Sequence, residues 1–245
     1  MERDAFALMA AAERDHWWFR GRREFIEAAI TRVAPPSSAR LLDAGCGSGG
    51  NLALLNRFGT VYGFEHDVDA LSVARARGVG ELAPGVLPTG IPFGDAAFDV
   101  IGLFDVLEHL EQPVAALSAL SARLAHGGAI VLTVPANPWL WGPHDVHHQH
   151  VRRYTAATLR EHVAAAGLRV EYLSYFNALL LPLAIAQRVR ERLFGYRTDA
   201  LMPGPFVNRA LLNVWRLEAA WIPQRVLPFG LSLLAIVRAS PDHRA

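Results

Sequence analysis

Residues 43–49 place a carboxylate beside three glycines, between a short apolar run and a helix-forming segment: Asp43-Ala44-Gly45-Cys46-Gly47-Ser48-Gly49. Such glycines let the backbone turn tightly and approach a ligand closely. The start of the following helix offers N–H groups to an anionic group. Glu65 ends the next apolar run, about 20 residues further on, where a carboxylate can accept hydrogen bonds from ribose hydroxyls. The spacing therefore predicts a site for a nucleotide-type cofactor.

The glycines alone leave the kind of cofactor open. Gly45, Gly47 and Gly50 also fit the G-x-G-x-x-G pattern of dinucleotide sites, so an NAD(P)-dependent oxidoreductase is one alternative. A binding protein that keeps the fold without catalysis is another. Asp43 favours a different cofactor, because a carboxylate at the end of the strand repels a pyrophosphate and attracts a ligand with ammonium and sulfonium groups.

A second segment, residues 135–154, is rich in His, Trp and Arg. His144, His147 and His148 are the predicted catalytic residues, because histidine can accept a proton near neutral pH. Metal-ligand types also occur here, but their spacing in a loop fixes no geometry, so no metal is predicted. The alternative is that these side chains only tie the loop to the sheet. The predicted substrate-contacting residues are Trp18, Trp139, Trp141, Arg152, Arg153 and Tyr154.

Short apolar runs alternate with helix-like segments over most of the chain, which predicts an α/β fold with a mostly parallel sheet covered by helices on both faces. A stretch between the last two predicted strands is too long for a simple connection and is apolar and helix-like. We expect four parts: an N-terminal helical cap (1–36), a cofactor-binding α/β core (37–176), a helical insertion (177–230), and a last strand with a tail (231–245).

Composition limits the partners. The 245 residues carry a net charge of +1, so no global basic field favours a nucleic acid. The single cysteine excludes an internal disulfide and, with the absence of a signal-like N-terminus, predicts a cytoplasmic protein. The insertion carries an apolar run followed by Arg188, Arg190 and Arg192, which suits a peripheral membrane contact, a homodimer interface or a substrate cap.

Five segments together resemble the motifs of class I S-adenosylmethionine-dependent methyltransferases, in order and spacing over residues 40–134. Within this class, the chain most resembles the small-molecule methyltransferases related to the ubiquinone-type O-methyltransferases. The segments are Leu41 to Gly49; Gly63-Phe64-Glu65-His66-Asp67; Ile91-Pro92-Phe93 with Phe98-Asp99-Val100-Ile101; Asp105-Val106-Leu107-Glu108-His109-Leu110; and Gly127-Gly128 before a strand.

This resemblance implies a doubly wound, seven-stranded Rossmann-like sheet, S-adenosylmethionine as cofactor, and methyl transfer to an O or N atom of a small acceptor. That acceptor is expected to be apolar, even lipidic, with an anionic group as an option. The predicted cofactor-binding residues are Arg22, Asp43, Ala44, Gly45, Cys46, Gly47, Gly49, Glu65, His66, Leu87, Phe104 and Asp105.

Some of these positions carry specific roles in the resemblance. Glu65 would bind the ribose, with His66 beside the adenine, and Arg22 would pair with the carboxylate of the cofactor. The chain departs from the family at Leu87, where an acidic residue often contacts the adenine amino group. Backbone and packing would then hold the adenine.

Overall fold

The computed structural model describes residues 13–195, 203–222 and 224–240. Its seven strands are β1 (Arg40–Ala44), β2 (Thr60–Glu65), β3 (Glu81–Pro84), β4 (Phe98–Phe104), β5 (Leu124–Pro135), β6 (Leu168–Phe176) and β7 (Ser232–Ala239). The helices used below are α1 (Trp17–Val33), α2 (Leu52–Leu55), α3 (Val68–Ala76), α4 (Pro113–Ser121), α5 (Pro143–His147), α6 (Ala156–Ala165), α7 (Leu181–Phe194) and α8 (Pro205–Ala219). Among the described helices, none is both long and apolar enough to cross a membrane.

The strands form one sheet in the order β3-β2-β1-β4-β5-β7-β6, and only β7 runs antiparallel to its neighbours. The predicted doubly wound, mostly parallel sheet is therefore confirmed. Its central strands are buried on both faces, as the continuous apolar runs indicate. The strand order reverses between β1 and β4, and a crevice at such a reversal is where open α/β sheets bind ligands.

Two sequence predictions differ in detail from the structure. The helix-forming segment that follows the glycines is only a single helical turn, α2, because the backbone forms turns from Asn56 onward. The short strand β3 was not predicted, since its residues are only partly buried at the sheet edge and lack a long apolar run.

The N-terminal helix and the insertion pack together on one face of the sheet. Trp215 of α8 is 1% exposed, and its ring meets those of Trp17 and Phe25 edge-on at centroid distances of 5.4 and 5.5 Å. Gly21 permits this approach, since a Cβ there would lie 2.0 Å from a Trp215 ring carbon. The predicted cap and the predicted insertion are therefore in direct contact, and the division into four parts stays a prediction.

Buried polar groups fix the start of the insertion. The Trp215 indole donates to Asn177 Oδ1 at 2.8 Å. The fully buried Glu218 carboxylate accepts hydrogen bonds from the backbone N–H groups of Ala178 and Leu179 at 2.9 and 3.1 Å. These bonds satisfy groups that would otherwise be buried without partners.

Replacing Trp215 by Ala tests this packing. We expect Trp215→Ala to lower the free energy of unfolding by about 3–5 kcal/mol, because it leaves a large cavity and an unpaired Asn177. Trp221→Ala is the matched control: this ring is 44% exposed, and its loss should cost about 0.5 kcal/mol or less. Urea unfolding measures both, and equal effects would contradict the assigned packing.

Candidate active site

The glycine-rich turn leaves β1 at the carboxyl edge of the sheet. Gly45, Gly47 and Gly49 have φ angles of +78°, +53° and +81°, which side chains rarely adopt. A Cβ on Gly45 would lie 2.8 Å from a Val106 methyl carbon, so that glycine is needed for packing. A Cβ on Gly47 would meet no protein atom within 4 Å, so Gly47 borders open space. The turn thus offers bare backbone to a ligand.

Glu65 lies beside this turn at the end of β2 and is 7% exposed. Its Oε2 atom accepts a hydrogen bond from the backbone N–H of Gly47 at 2.9 Å. Its Oε1 atom accepts from the backbone N–H groups of His66 and Asp67 at 2.8 and 3.0 Å. The exposed His66 ring contacts the same oxygen at 2.8 Å. The predicted acidic residue is therefore fixed at the crevice, next to the glycines.

Asp43 is 1% exposed, and its Oδ2 atom has no hydrogen-bond partner. Burial raises the pKa of this carboxyl to about 7, Arg22 opposes the shift, and Glu65 adds to it. An ionised carboxylate without a partner is costly in a buried site. A cationic ligand against the turn would supply the missing partner, so the residues present fit S-adenosylmethionine.

Arg22 reaches the same crevice from α1. Its guanidinium forms an ion pair with Asp105, directly after β4, and lies 4.9 Å from the centroid of the Trp18 ring. Thr133 Oγ1 donates to the other Asp105 oxygen at 3.1 Å. The structure thus brings the predicted Arg22, Asp105 and Trp18 together, and Thr133 joins them without having been predicted.

Four other predicted cofactor positions are buried. Ala44 is fully buried in β1, and Phe104, Cys46 and Leu87 are 5%, 7% and 9% exposed. Leu87 belongs to the same apolar cluster as Phe64, near the end of β2. The loop beyond β3 therefore presents an apolar side chain where an acidic residue is common, as the sequence indicates.

A buried aspartate organises the loop after β5. Asp145 is fully buried and accepts hydrogen bonds from Arg153 Nε at 2.7 Å and from the backbone N–H of Gly142 at 2.9 Å. His150 Nδ1 lies 2.9 Å from the same carboxylate. These partners hold the pKa of Asp145 well below its usual range despite its burial. The interpretation that charged residues tie this loop down therefore holds for Asp145 and Arg153.

Arg153 and Tyr154 contact the protein itself. Arg153 also donates to the Ala136 carbonyl at 3.1 Å. Tyr154 is 1% exposed, and burial raises the pKa of its hydroxyl to about 12. By contrast, Trp139 and Trp141 are 56% and 37% exposed on the same loop. The two tryptophans, rather than Arg153 and Tyr154, have surface available for a bound molecule.

The predicted catalytic histidines form one group on this loop. The ring centroids of His144 and His148 are 4.3 Å apart, and those of His147 and His148 are 5.3 Å apart. Burial, with a smaller contribution from His148, lowers the pKa of His144 to about 3. Burial and the neighbouring His150 also lower the pKa of His148. A ring with a pKa near 3 is a weak proton acceptor at neutral pH.

Glu108 is a further residue of this region that the sequence did not predict as part of the site. It is fully buried, neither carboxylate oxygen has a hydrogen-bond partner, and burial together with Asp105 raises its pKa well above the usual value. One ligand-type atom from each of Glu108, His109 and His150 lies within 4.8 Å of the others. Such a donor set could hold a divalent metal ion. The apolar neighbours of Glu108 indicated burial, but no sequence signal placed His150 against it.

These features define a nucleotide-cofactor site of the methyltransferase kind on a Rossmann-like sheet. A family model described as "Methyltransferase domain" matches residues 18–173, more than half of the chain. The chain therefore belongs to the methyltransferase domain family, which confirms the predicted class and its cofactor, S-adenosylmethionine.

Two curated relatives and one solved structure are similar to the chain. A "Probable S-adenosylmethionine-dependent methyltransferase" of Mycolicibacterium smegmatis is 30% identical over 64% of this chain and 61% of its own length. The dTDP-3-amino-3,6-dideoxy-alpha-D-glucopyranose N,N-dimethyltransferase of Streptomyces fradiae is 32% identical over 48% of this chain and 46% of its own. The matches thus span about half to three fifths of these relatives.

The solved structure is a methyltransferase in complex with the Trm112 methyltransferase activator of Haloferax volcanii. It has a TM-score of 0.63 and 20% identity, and the match covers 99% of this chain and 97% of that one. At this identity the similarity concerns the fold alone, and it agrees with the sheet order described above.

A side chain at Gly47 should block the cofactor while leaving the fold intact. We expect Gly47→Arg to weaken S-adenosylhomocysteine binding at least about 100-fold, because the side chain fills the open space at the turn. Gly78→Arg is the matched control, since Gly78 also has a positive φ and open space around it. Calorimetry with S-adenosylhomocysteine and with NADH measures this; tighter binding of NADH would contradict the assigned cofactor.

Asp43 should make cofactor binding depend on pH. Its ionised form attracts the cationic cofactor, so protonation below a pKa of about 7 removes the attraction. We expect the Kd for S-adenosylmethionine to rise about tenfold from pH 8 to pH 6. Asp43→Asn should bind weakly at both values. If the variant shows the same pH dependence as the wild type, another group is responsible.

Proposed function

We propose that the protein transfers a methyl group from S-adenosylmethionine to an O or N atom of a small acceptor that is largely apolar and carries an anionic group. The use of S-adenosylmethionine is supported mainly by the buried Asp43 carboxylate, whose Oδ2 atom has no hydrogen-bond partner. This carboxylate lies beside the bare backbone at Gly47. The family assignment and the relative from Mycolicibacterium smegmatis support the same activity.

Different residues of the chain would bind different parts of the cofactor. Asp43 and the turn from Gly45 to Gly49 would hold the methionine part, and Glu65 would accept hydrogen bonds from the ribose. Arg22 would bind the carboxylate, which requires it to share its guanidinium between that group and Asp105. The bound cofactor supplies an already activated methyl group. The protein therefore needs mainly to orient the acceptor and to take up its proton.

The proton acceptor would come from the histidine group after β5. His144, His147 and His148 are the residues predicted from sequence, and the geometry adds His150. Its Nδ1 atom faces the buried Asp145 carboxylate at 2.9 Å, which fixes the ring and leaves Nε2 to accept a proton. An orienting carboxylate behind a histidine is the usual arrangement of a general base.

His150 also lies on the cofactor side of the loop. It is next to Glu108 and His109, and the carbonyl of Glu108 accepts a hydrogen bond from Val151 N at 2.9 Å. Glu108 in turn lies close enough to Asp105 for the two charges to interact. Among the histidines of this loop, His150 therefore has the strongest support as a base.

The acceptor would bind between the loop after β5 and α7. Trp139 and Trp141 offer exposed rings, and a Cβ on Gly142 would lie 2.9 Å from Arg188 Nη1, so α7 packs directly on this loop. Arg152, whose side chain reaches the Glu111 carbonyl at 3.4 Å, could bind an anionic group, and Trp18 lies beside Arg22. Arg153 and Tyr154 would support the pocket from inside.

One relative points to the kind of acceptor. The Streptomyces fradiae protein, as its name states, dimethylates the amine of a dTDP-linked amino sugar. An amine that is protonated at neutral pH must lose that proton before its lone pair can attack, and a diphosphate supplies an anionic group, so such a compound suits both His150 and Arg152. A homodimer remains a prediction, and contact with a membrane is a separate proposal because it concerns another surface.

Removing the base should slow the reaction without loosening the cofactor. We first expect S-adenosylhomocysteine to form with amine or hydroxyl acceptors that carry a phosphate, and less with their uncharged counterparts. With the best acceptor, His150→Ala should lower kcat about 100-fold or more while the cofactor Kd changes less than about twofold. Val146→Ala, on the same loop and 66% exposed, is the control.

Two results would contradict this role. An equal loss in both variants would make the effect one of loop structure. Loss of activity on EDTA treatment, restored by Zn²⁺ or Mn²⁺, would make His150 a metal ligand with Glu108 and His109 instead of the base.

A further inference from the structure

Helix α7 of the insertion directs Arg188 and Glu191 towards the protein, whereas Arg190 and most of its apolar residues face solvent. Glu191 is 6% exposed and accepts hydrogen bonds from Arg188 Nη1 at 2.6 Å and from Gln187 Nε2 at 3.0 Å. Arg188 also lies against Gly142 and close to His144. Arg188 therefore faces the protein and differs in this from Arg190, with which the sequence groups it. The side chain of Arg192 is outside the described part.

The outward side of α7 is mostly apolar. Leu193 and Phe194 are 70% and 80% exposed, and Leu183, Ile185 and Val189 lie between 36% and 59%. On a soluble helix these residues would face the core. On α7 the side that faces the protein carries Arg188 and Glu191 instead. The apolar side chains are therefore covered by no described part of the protein and are exposed to water.

The exposed apolar side chains are concentrated in this part of the molecule. Of eighteen exposed large hydrophobic residues among those the structure describes, twelve lie in 177–230: Leu179, Leu183, Ile185, Val189, Leu193, Phe194, Phe206, Val207, Leu217, Trp221, Val226 and Phe229. Exposed large apolar residues that are concentrated in one region of a protein are typical of a membrane or partner contact.

The charge of the same region favours one occupant. Its two described acidic residues, Glu191 and Glu218, are both buried and both hydrogen-bonded within the protein. Where the structure describes this region, its exposed ionic side chains are all arginines: Arg190, Arg209, Arg216 and Arg225, of which Arg216 pairs with Glu24. A second copy on this face would bring arginines against arginines with no exposed described acid to pair them. Anionic lipid headgroups supply the missing negative charge.

We propose that the insertion surface, defined as the exposed apolar residues of 177–230 with Arg190, Arg209 and Arg225, docks on anionic lipid membranes. Leu193, Phe194 and their neighbours would enter the boundary between headgroups and acyl chains, and the arginines would bind the phosphates. The mode is peripheral, and it does not depend on which acceptor the protein methylates.

Flotation of the full-length chain with vesicles tests this surface. We expect binding to phosphatidylcholine vesicles containing phosphatidylglycerol, at least about tenfold weaker binding to phosphatidylcholine alone, and loss of binding at high salt. Leu193→Glu with Phe194→Glu should reduce the partition coefficient at least about tenfold. Arg190→Glu with Arg209→Glu should reduce it roughly fivefold per arginine.

Matched variants elsewhere separate this surface from general charge effects. Val68→Glu changes another exposed apolar residue, at 72% exposure, and Arg169→Glu another exposed arginine. Both should bind vesicles like the wild type, and thermal melting should show all variants folded.

Three outcomes would overturn the proposal. The first is no binding to either kind of vesicle at low salt. The others are a loss of vesicle binding by Val68→Glu equal to that of the Leu193 and Phe194 variant, and binding that does not depend on the phosphatidylglycerol content. A dimer seen by analytical ultracentrifugation, absent in the Leu193→Glu variant and without vesicle binding, would assign the face to a second copy.

Discussion

The buried carboxylate of Asp43 is the constraint on which the cofactor site depends. It lies at the end of a central strand, where solvent cannot screen its charge, and one of its oxygens lacks a partner. The folded chain tolerates this because a pKa near 7 lets the group become neutral when nothing cationic is bound. An ionised carboxylate at this position would repel a pyrophosphate and attract a cation, which is the basis of the cofactor role proposed for Asp43.

A second buried carboxylate, Asp145, organises the acceptor side. It gathers a backbone N–H group, Arg153 and His150 around one point, so a long loop keeps a fixed shape without a strand or a long helix. One oxygen of Asp43 has no hydrogen-bond partner, whereas three groups contact the Asp145 carboxylate. This difference matches their positions. Asp43 lies beside the turn where Gly47 borders open space, whereas Asp145 supports the residues of the loop after β5.

The sequence predicted the sheet well because buried strands depend on local patterns, and the residues proposed to bind the cofactor follow from the same local patterns. Apolar runs fix the buried strands, and the glycines with Asp43 and Glu65 act through positions on adjacent strand ends. The acceptor side was predicted less well, because its contacts join distant residues. The pairing of His150 with Asp145 depends on how the loop folds, and the burial of Glu108 against His150 depends on two loops meeting. For the same reason Arg153 could not be distinguished from Arg152 by type or spacing.

The contact between α1 and α8 connects the two functional surfaces. Arg22 reaches the cofactor site from the middle of α1, one residue after Gly21, against which the Trp215 ring packs. Trp215 in turn belongs to the insertion whose other face exposes the apolar and basic residues. On the opposite side of the insertion, Arg188 of α7 lies against the loop that carries Asp145 and the histidines. The insertion therefore contacts both the helix that carries Arg22 and the loop that carries Asp145.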